Sequence, residues 1–314
     1  MHTFFQGTRS VKFAIGLCLL LLSGSAFAHN FGESSEVISI FVRNINPLVE
    51  EALTGDNNYT RCAEILFWFF FIVQASMFIG KYTFNGVTAF EIFEQVIFFS
   101  IALALFYNIN TYADAVSSLF DAVNAGLQEV FVGNDDLFFV PNYIKSVVDS
   151  ISFEEKGFFD GVQAIIGVIV LFLASVLLGT LAWLAIVWAV WGTTLAKLIG
   201  LLLVPTILVA RFSFLFDGLL RFFISFHVFS VFVRINLLLT LFLLQAAFDL
   251  PGGGDIYQGD AFFVRTEHLG ELDGLIIFLL LGILSLISSY KWASKITDGM
   301  SMPTGALRTA FNKK

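Results

Sequence analysis

Charge is scarce in this 314-residue chain: 13% of its residues are Asp, Glu, Lys or Arg, against about 25% in an ordinary soluble domain. Hydrophobic residues make up 57%, and mean hydropathy is +0.84. Several windows of about 18 or more residues carry no charge, so the apolar surface cannot be hidden in one globule and requires lipid as solvent. That excludes a cytosolic enzyme. Cysteine is nearly absent, with two in the chain. Cys18 falls in an N-terminal leader and Cys62 remains alone, so no intramolecular disulfide can form in the mature chain. The four histidines, His2, His29, His227 and His268, do not cluster. Nucleotide-binding Gly-x-x-x-x-Gly-Lys-Ser/Thr, His-Glu-x-x-His, Cys-x-x-Cys and Gly-x-Ser-x-Gly motifs are all missing. The expectation is a passive or structural protein with no catalytic residues, no metal and no cofactor.

The N-terminus reads as an address. Arg9 and Lys12 precede the apolar run Phe13–Leu22 and the small-x-small pattern Ala26-Phe27-Ala28, the signature of a bacterial signal peptide cleaved after residue 28. Ten apolar residues are too few to span about 30 Å of hydrocarbon. The mature chain is then expected to begin at His29, outside the cytosol. Asn58-Tyr59-Thr60 matches a glycosylation acceptor, a triplet common by chance.

Five membrane segments follow, near Ala63–Gly80, Phe90–Tyr107, Gly161–Trp191, Phe222–Phe248 and Gly274–Tyr290. A sixth apolar block, 194–210, is interrupted by Lys197 and Pro205. With five crossings the inner segments 81–89, 192–221 and 291–314 hold nine Lys and Arg, and the outer segments 29–62, 108–160 and 249–273 hold five. The outer segments also hold twenty acids, against Asp217 and Asp298 inside. This positive-inside pattern favours five crossings, with a proline-broken re-entrant or interfacial helical hairpin at 194–221 on the cytoplasmic side. The fold class expected is an all-α polytopic membrane protein. Its parts are a signal peptide (1–28), a periplasmic amphipathic segment (29–62), two membrane helices (63–107), an acidic helical periplasmic loop (108–160), a membrane core (161–290) and a basic cytoplasmic tail (291–314).

In the outer segments, Val37, Phe41, Ile45, Leu48, Val49 and Ala52 recur at helical spacing, fitting either a helix on the membrane or a partner, or one packed on the protein's own spans. Val116, Leu119, Phe120, Val123 and Leu127 do the same inside the acidic loop, and Pro251-Gly-Gly-Gly254 marks a turn. Phenylalanine is abundant, at 39 residues. Lipid-facing or inter-subunit surface explains it, and no aromatic residue is assigned a recognition role.

Ionisable groups inside spans are expensive and are therefore candidates for function. Glu91 and Glu94 lie three positions apart, on one helical face. His227 and Arg234 share a face of the fourth span, with Asn236 nearby. These five residues form a candidate intramembrane polar network. Either Arg234 faces the bundle interior and pairs with Glu91 or Glu94 or lines a polar passage between subunits, or Glu91 and Glu94 sit at the membrane interface while Arg234 only locks two helices together.

The stretch Ala196-Lys-Leu-Ile-Gly-Leu-Leu-Leu-Val-Pro-Thr-Ile-Leu-Val-Ala-Arg-Phe212, continuing through Phe216-Asp-Gly-Leu-Leu-Arg-Phe-Phe-Ile-Ser-Phe-His227, resembles the TrbL-like polytopic inner-membrane subunit of type IV secretion (conjugation) systems. In that family an apolar helix with Lys and a Gly-Pro step lead to a Phe-x-Gly-Trp element. Lys197, Pro205, Phe216 and Gly218 match it; Val204 stands for the Gly and Leu219 for the Trp. The outer N-terminus, the large loop after the second span and the small-residue tail 293–306 extend the resemblance over most of the mature chain. It implies a non-enzymatic channel or scaffold subunit forming a ring homo-oligomer, a pentamer, in the bacterial inner membrane, with its N-terminus periplasmic and its C-terminus cytoplasmic. The subunit would support pilus assembly and translocation of DNA or protein. Implied partners are a bitopic inner-membrane scaffold subunit, the minor pilus-tip subunit, pilin, cytoplasmic ATPases and membrane lipid, with nucleic acid only as transported substrate. The acidic outer loop would repel a free DNA backbone. An ion- or proton-coupled transporter using Glu91, Glu94 and Arg234 is the competing expectation.

Overall fold

The structure is a computed structural model and describes residues 31–134, 136, 138–149, 151–154, 158–248, 262–265 and 269–300. The signal peptide, the Pro251 turn, His29, His268 and the end of the tail lie outside the described residues. Among those described, the helices are α1 (Phe31–Thr54), α2 (Asn58–Asn85), α3 (Ala89–Tyr107), α4 (Ile109–Val132), α5 (Phe139–Asp149), α6 (Phe158–Leu203), α7 (Ser213–Phe248) and α8 (Leu269–Asp298). Five segments are long and apolar enough to cross a membrane: Asn58–Phe84, Ala89–Tyr107, Ile169–Ile207, Ser213–Ala246 and Asp273–Asp298. The fold is that of an all-α polytopic membrane protein. The acidic loop contains helices α4 and α5, and it also contributes β1 (Ile151–Glu154). This strand pairs in parallel with β2 (Phe262–Arg265), placing Ile151 opposite Phe262, a four-residue ribbon in which β1 alternates apolar and polar residues and β2 does not.

Local sequence explains where the first spans begin. Asn57 caps α2 by accepting from the backbone N–H groups of Tyr59 and Thr60, while the Thr60 side chain returns to the Asn57 backbone. Thr88 and Glu91 make the same reciprocal arrangement at the start of α3, so both helices open on capping boxes. Gly86, at φ 71°, makes the turn between them in a region that side chains resist.

Two compact units draw on this order. The first includes Asn124–Val187 and Phe232–Tyr290. In it Leu171, Ala174, Leu178 and Ala182 of α6, Val233, Leu237, Leu241 and Leu244 of α7, and Leu275, Leu279, Ile283 and Leu286 of α8 are all buried. Steps of three, four and seven residues put each set on one helical stripe. Gly282 allows α8 to approach α7 closely: a Cβ there would stand 2.7 Å from the Thr240 hydroxyl and 3.3 Å from Leu178. Beside it Asn236 Nδ2 donates to Ser289 Oγ at 2.6 Å and to the Ser285 carbonyl at 3.3 Å. Small residues for close approach and polar side chains bonded across the seam are what helices use to associate in lipid, where burial in water supplies no drive.

The second unit includes Ile40–Val123 and Trp188–Val231. Its core gathers Val49 and Leu53 of α1, Phe67 of α2, Phe98, Ala102 and Phe106 of α3, Val204 and Ile207 of the turn, and Phe216 and Phe223 of α7. Ile45, Val49 and Leu53 form the packed stripe of α1, so this helix lies on the protein's own spans, while Leu48 points away at 64% exposure. In the Phe67–Phe71 cluster, Phe67 is buried whereas Trp68 and Phe69 are exposed.

The block at 194–221 departs from its expected form. α6 runs unbroken through Gly192 for 46 residues, about 69 Å at 1.5 Å per residue and more than twice the hydrocarbon thickness. The first arm of the hairpin is therefore the end of a longer helix. The chain bends in a 3-10 turn at Val204–Ile207, with Pro205 at its start, and returns as α7. Proline lacks the N–H that would continue the α-helical ladder.

Neighbouring helices hold the hairpin in place. Tyr59, the second residue of α2, donates its hydroxyl proton to the Leu198 carbonyl. Lys197 Nζ meets Asp114 Oδ1 at 2.5 Å. A Cβ on Gly200 would come within 2.7 Å of Ile109, and the Phe212 ring lies 5.7 Å from that of Phe70, farther along α2. The hairpin thus enters beside α2 and α3 from the end where α2 begins and α3 finishes, the end at which α4 also starts. The starts of α2 and α4, the end of α3 and the hairpin are thus packed neighbours within this unit.

Candidate functional site

The densest meeting of polar groups with the motif residues lies where α4 runs along the hairpin. Lys197 sits on α6 with its side chain only 10% exposed, and its ammonium reaches Asp114, which is 61% exposed. Burial of one partner makes this more than a surface pair: the stem lies along apolar neighbours and the charge is carried outward. One α7 turn away, His227 is buried. Its Nε2 lies 3.3 Å from Ser117 Oγ, and its ring stacks on Phe120 at 5.0 Å and meets Phe223 edge-on at 4.6 Å. Pro205 and Phe216 are buried in the hairpin. Gly218 has open space about its Cα, so close packing does not require glycine there. Leu219, at the position of the family's Trp, is buried and lines a cavity with Lys197 and Phe216.

The five candidates for an intramembrane network divide between the two units, Glu91, Glu94 and His227 in the second and Arg234 and Asn236 in the first. Glu91 accepts from Lys81 Nζ at 2.7 Å and from the Thr88 backbone N–H at 3.2 Å. It is a helix-capping residue at a span end. Glu94 lies one turn farther along α3. In the first unit, Arg234 Nη1 donates to Gln128 Oε1 at 3.2 Å. The Glu91 carboxylate thus serves the start of its own helix, and the Arg234 guanidinium has a neutral amide of α4 among its partners. His227 joins Ser117, and Asn236 joins Ser285 and Ser289.

Several contributors were missed in sequence. The Thr88-x-x-Glu91 spacing is itself a capping-box signature and marked Glu91 as structural. Ser285-x-x-x-Ser289 is a small-residue spacing of the kind that joins membrane helices. Gln74 Nε2 donates to Gln95 Oε1 at 2.7 Å across α2 and α3, a bond foreshadowed only by two glutamines in apolar helices. Asp114, Ser117 and Gln128 carry no local signal, because their partners lie 83 to 110 residues away. Among the described residues, no three His, Cys, Asp or Glu side chains come together as a metal site.

No protein-family model matches the chain, and no curated protein is significantly similar to it.

Proposed function

We propose that the chain is a non-enzymatic channel or scaffold subunit of a type IV secretion system in the bacterial inner membrane, supporting pilus assembly and passage of DNA or protein substrates. It works as a ring of identical copies, five in number, that meets a bitopic scaffold subunit, the pilus-tip subunit, pilin and the cytoplasmic ATPases. The observation that carries this reading is the hairpin. Lys197, Pro205 and Phe216, the residues of the TrbL-like resemblance, belong to one packed element whose turn begins at the proline. The transporter alternative loses its strongest support, because the Glu91 carboxylate is engaged by Lys81 and its own helix start.

The test is biochemical and cellular together. The tagged protein, extracted in mild detergent, should bring secretion-machine subunits with it, and its deletion should abolish conjugation or effector delivery. Reconstituted alone in liposomes, it should drive no uptake or exchange. A solitary protein that transports ions or solutes in liposomes would overturn the reading.

A further inference from the structure

Between the start of α4, the last turns of α6 and the first turns of α7 lies a cavity of about 170 Å³. Leu105, Val116, Val204, Phe216, Leu220 and Phe223 supply much of its wall, and among its fourteen lining residues Tyr112 and Lys197 are the two with polar side chains. Lys197 contributes its methylene stem, since its ammonium is turned to Asp114. A buried water needs two to four hydrogen-bonding partners, which these walls do not offer, and apolar cavities of roughly 150 Å³ in other proteins stay dry and take up benzene. The space therefore suits about six carbons of hydrocarbon. Segments that form its walls, α3, α6 and α7, are also among those apolar enough to lie in a bilayer, where the hydrocarbon at hand is the lipid chain. At the edge, the Lys197–Asp114 pair presents both charges with no net excess.

We propose that this cavity binds a stretch of about six carbons of one acyl chain of a membrane phospholipid, with a zwitterionic amine headgroup beside Lys197 and Asp114. The neutral pair gives an anionic headgroup no added attraction, whereas a phosphate and a primary amine each find an opposite charge. The bound chain fills the space between α4 and the hairpin, so the lipid is a structural component of that packing. The site does not depend on the secretion reading, since it rests on volume, wall chemistry and charge alone.

The test uses the full-length protein in mild detergent, exposed to phosphatidylethanolamine carrying a photoactivatable diazirine in its acyl chain, with adducts mapped by mass spectrometry. Adducts should concentrate on peptides covering 105–116 and 196–224, and unlabelled phosphatidylethanolamine should compete better than phosphatidylglycerol. Ala113→Phe and Leu219→Trp, which fill the cavity from α4 and from α7, should each lower labelling by about tenfold. Leu281→Trp, on an exposed face of α8, should leave it unchanged. Helix content and elution volume identify a filling variant that has not folded, and the other then decides. Labelling spread evenly over exposed helix faces, labelling undiminished in a folded filling variant, or preferential competition by phosphatidylglycerol would overturn the proposal.

Discussion

Gly192 offers the sharpest test of how the hairpin is held. A Cβ built on it falls on the ring of Phe226, far inside carbon–carbon contact distance. Phe226 is 3% exposed and packs at 4.8 Å on Phe222 and 6.3 Å on Trp188, so its ring has little room to withdraw. In an unobstructed helix, replacing Gly by Ala stabilises by roughly 0.5–1 kcal/mol. Overpacking a filled core costs about 1–3 kcal/mol, and full expulsion of a buried Phe approaches the 3–5 kcal/mol of a Phe→Ala change. Gly192→Ala should therefore destabilise by about 2 kcal/mol net, a folded-to-unfolded ratio lower by roughly 30-fold. Trp188, beside the clash, gives a fluorescence readout for unfolding by SDS in mixed micelles. Phe226→Ala removes the Cγ, Cδ1 and Cε1 atoms in the way, so the double variant should be more stable than the sum of the singles by about 1–2 kcal/mol. A stabilised Gly192→Ala protein, or strictly additive effects, would refute the close approach of α6 and α7 at this point.

Other outcomes follow from the bonds. Asp114→Asn leaves the buried Lys197 ammonium without its carboxylate and should cost up to about 3 kcal/mol; Lys197→Met leaves only an exposed carboxylate and should cost under about 1 kcal/mol, an asymmetry the same SDS titration reads. Asn236→Ala should destabilise by about 0.6–1.7 kcal/mol, the range for a hydrogen bond between membrane helices, and adding Ser289→Ala should cost little more in a double-mutant cycle. Thr88→Ala removes the cap at the start of α3 at a cost of about 1 kcal/mol, and hydrogen exchange at Glu91 should rise with it.

Glu91 and Arg234 show where local reading suffices and where it does not. Glu91 looks like a buried charge in search of a partner when only the hydropathy of its span is weighed. The threonine three residues earlier identifies it as half of a capping box, and that signal is local enough to read without a fold. Arg234 is the opposite case. Its position in an apolar run marks it as costly, but nothing near it in sequence names Gln128, because the partner comes from a helix more than a hundred residues away.

The membrane character, the approximate positions of the five long apolar helices and the break at Pro205 were determined by the sequence itself. Each depends on a property of neighbouring residues: uncharged length, helical periodicity, or a missing backbone N–H. Tertiary structure decided that α6 runs on through Gly192, that the hairpin packs against the start of α4, and that Lys197 reaches Asp114 while His227 reaches Ser117. Those outcomes depend on which surfaces fit together in space, between residues too far apart in the chain for any local pattern to pair them.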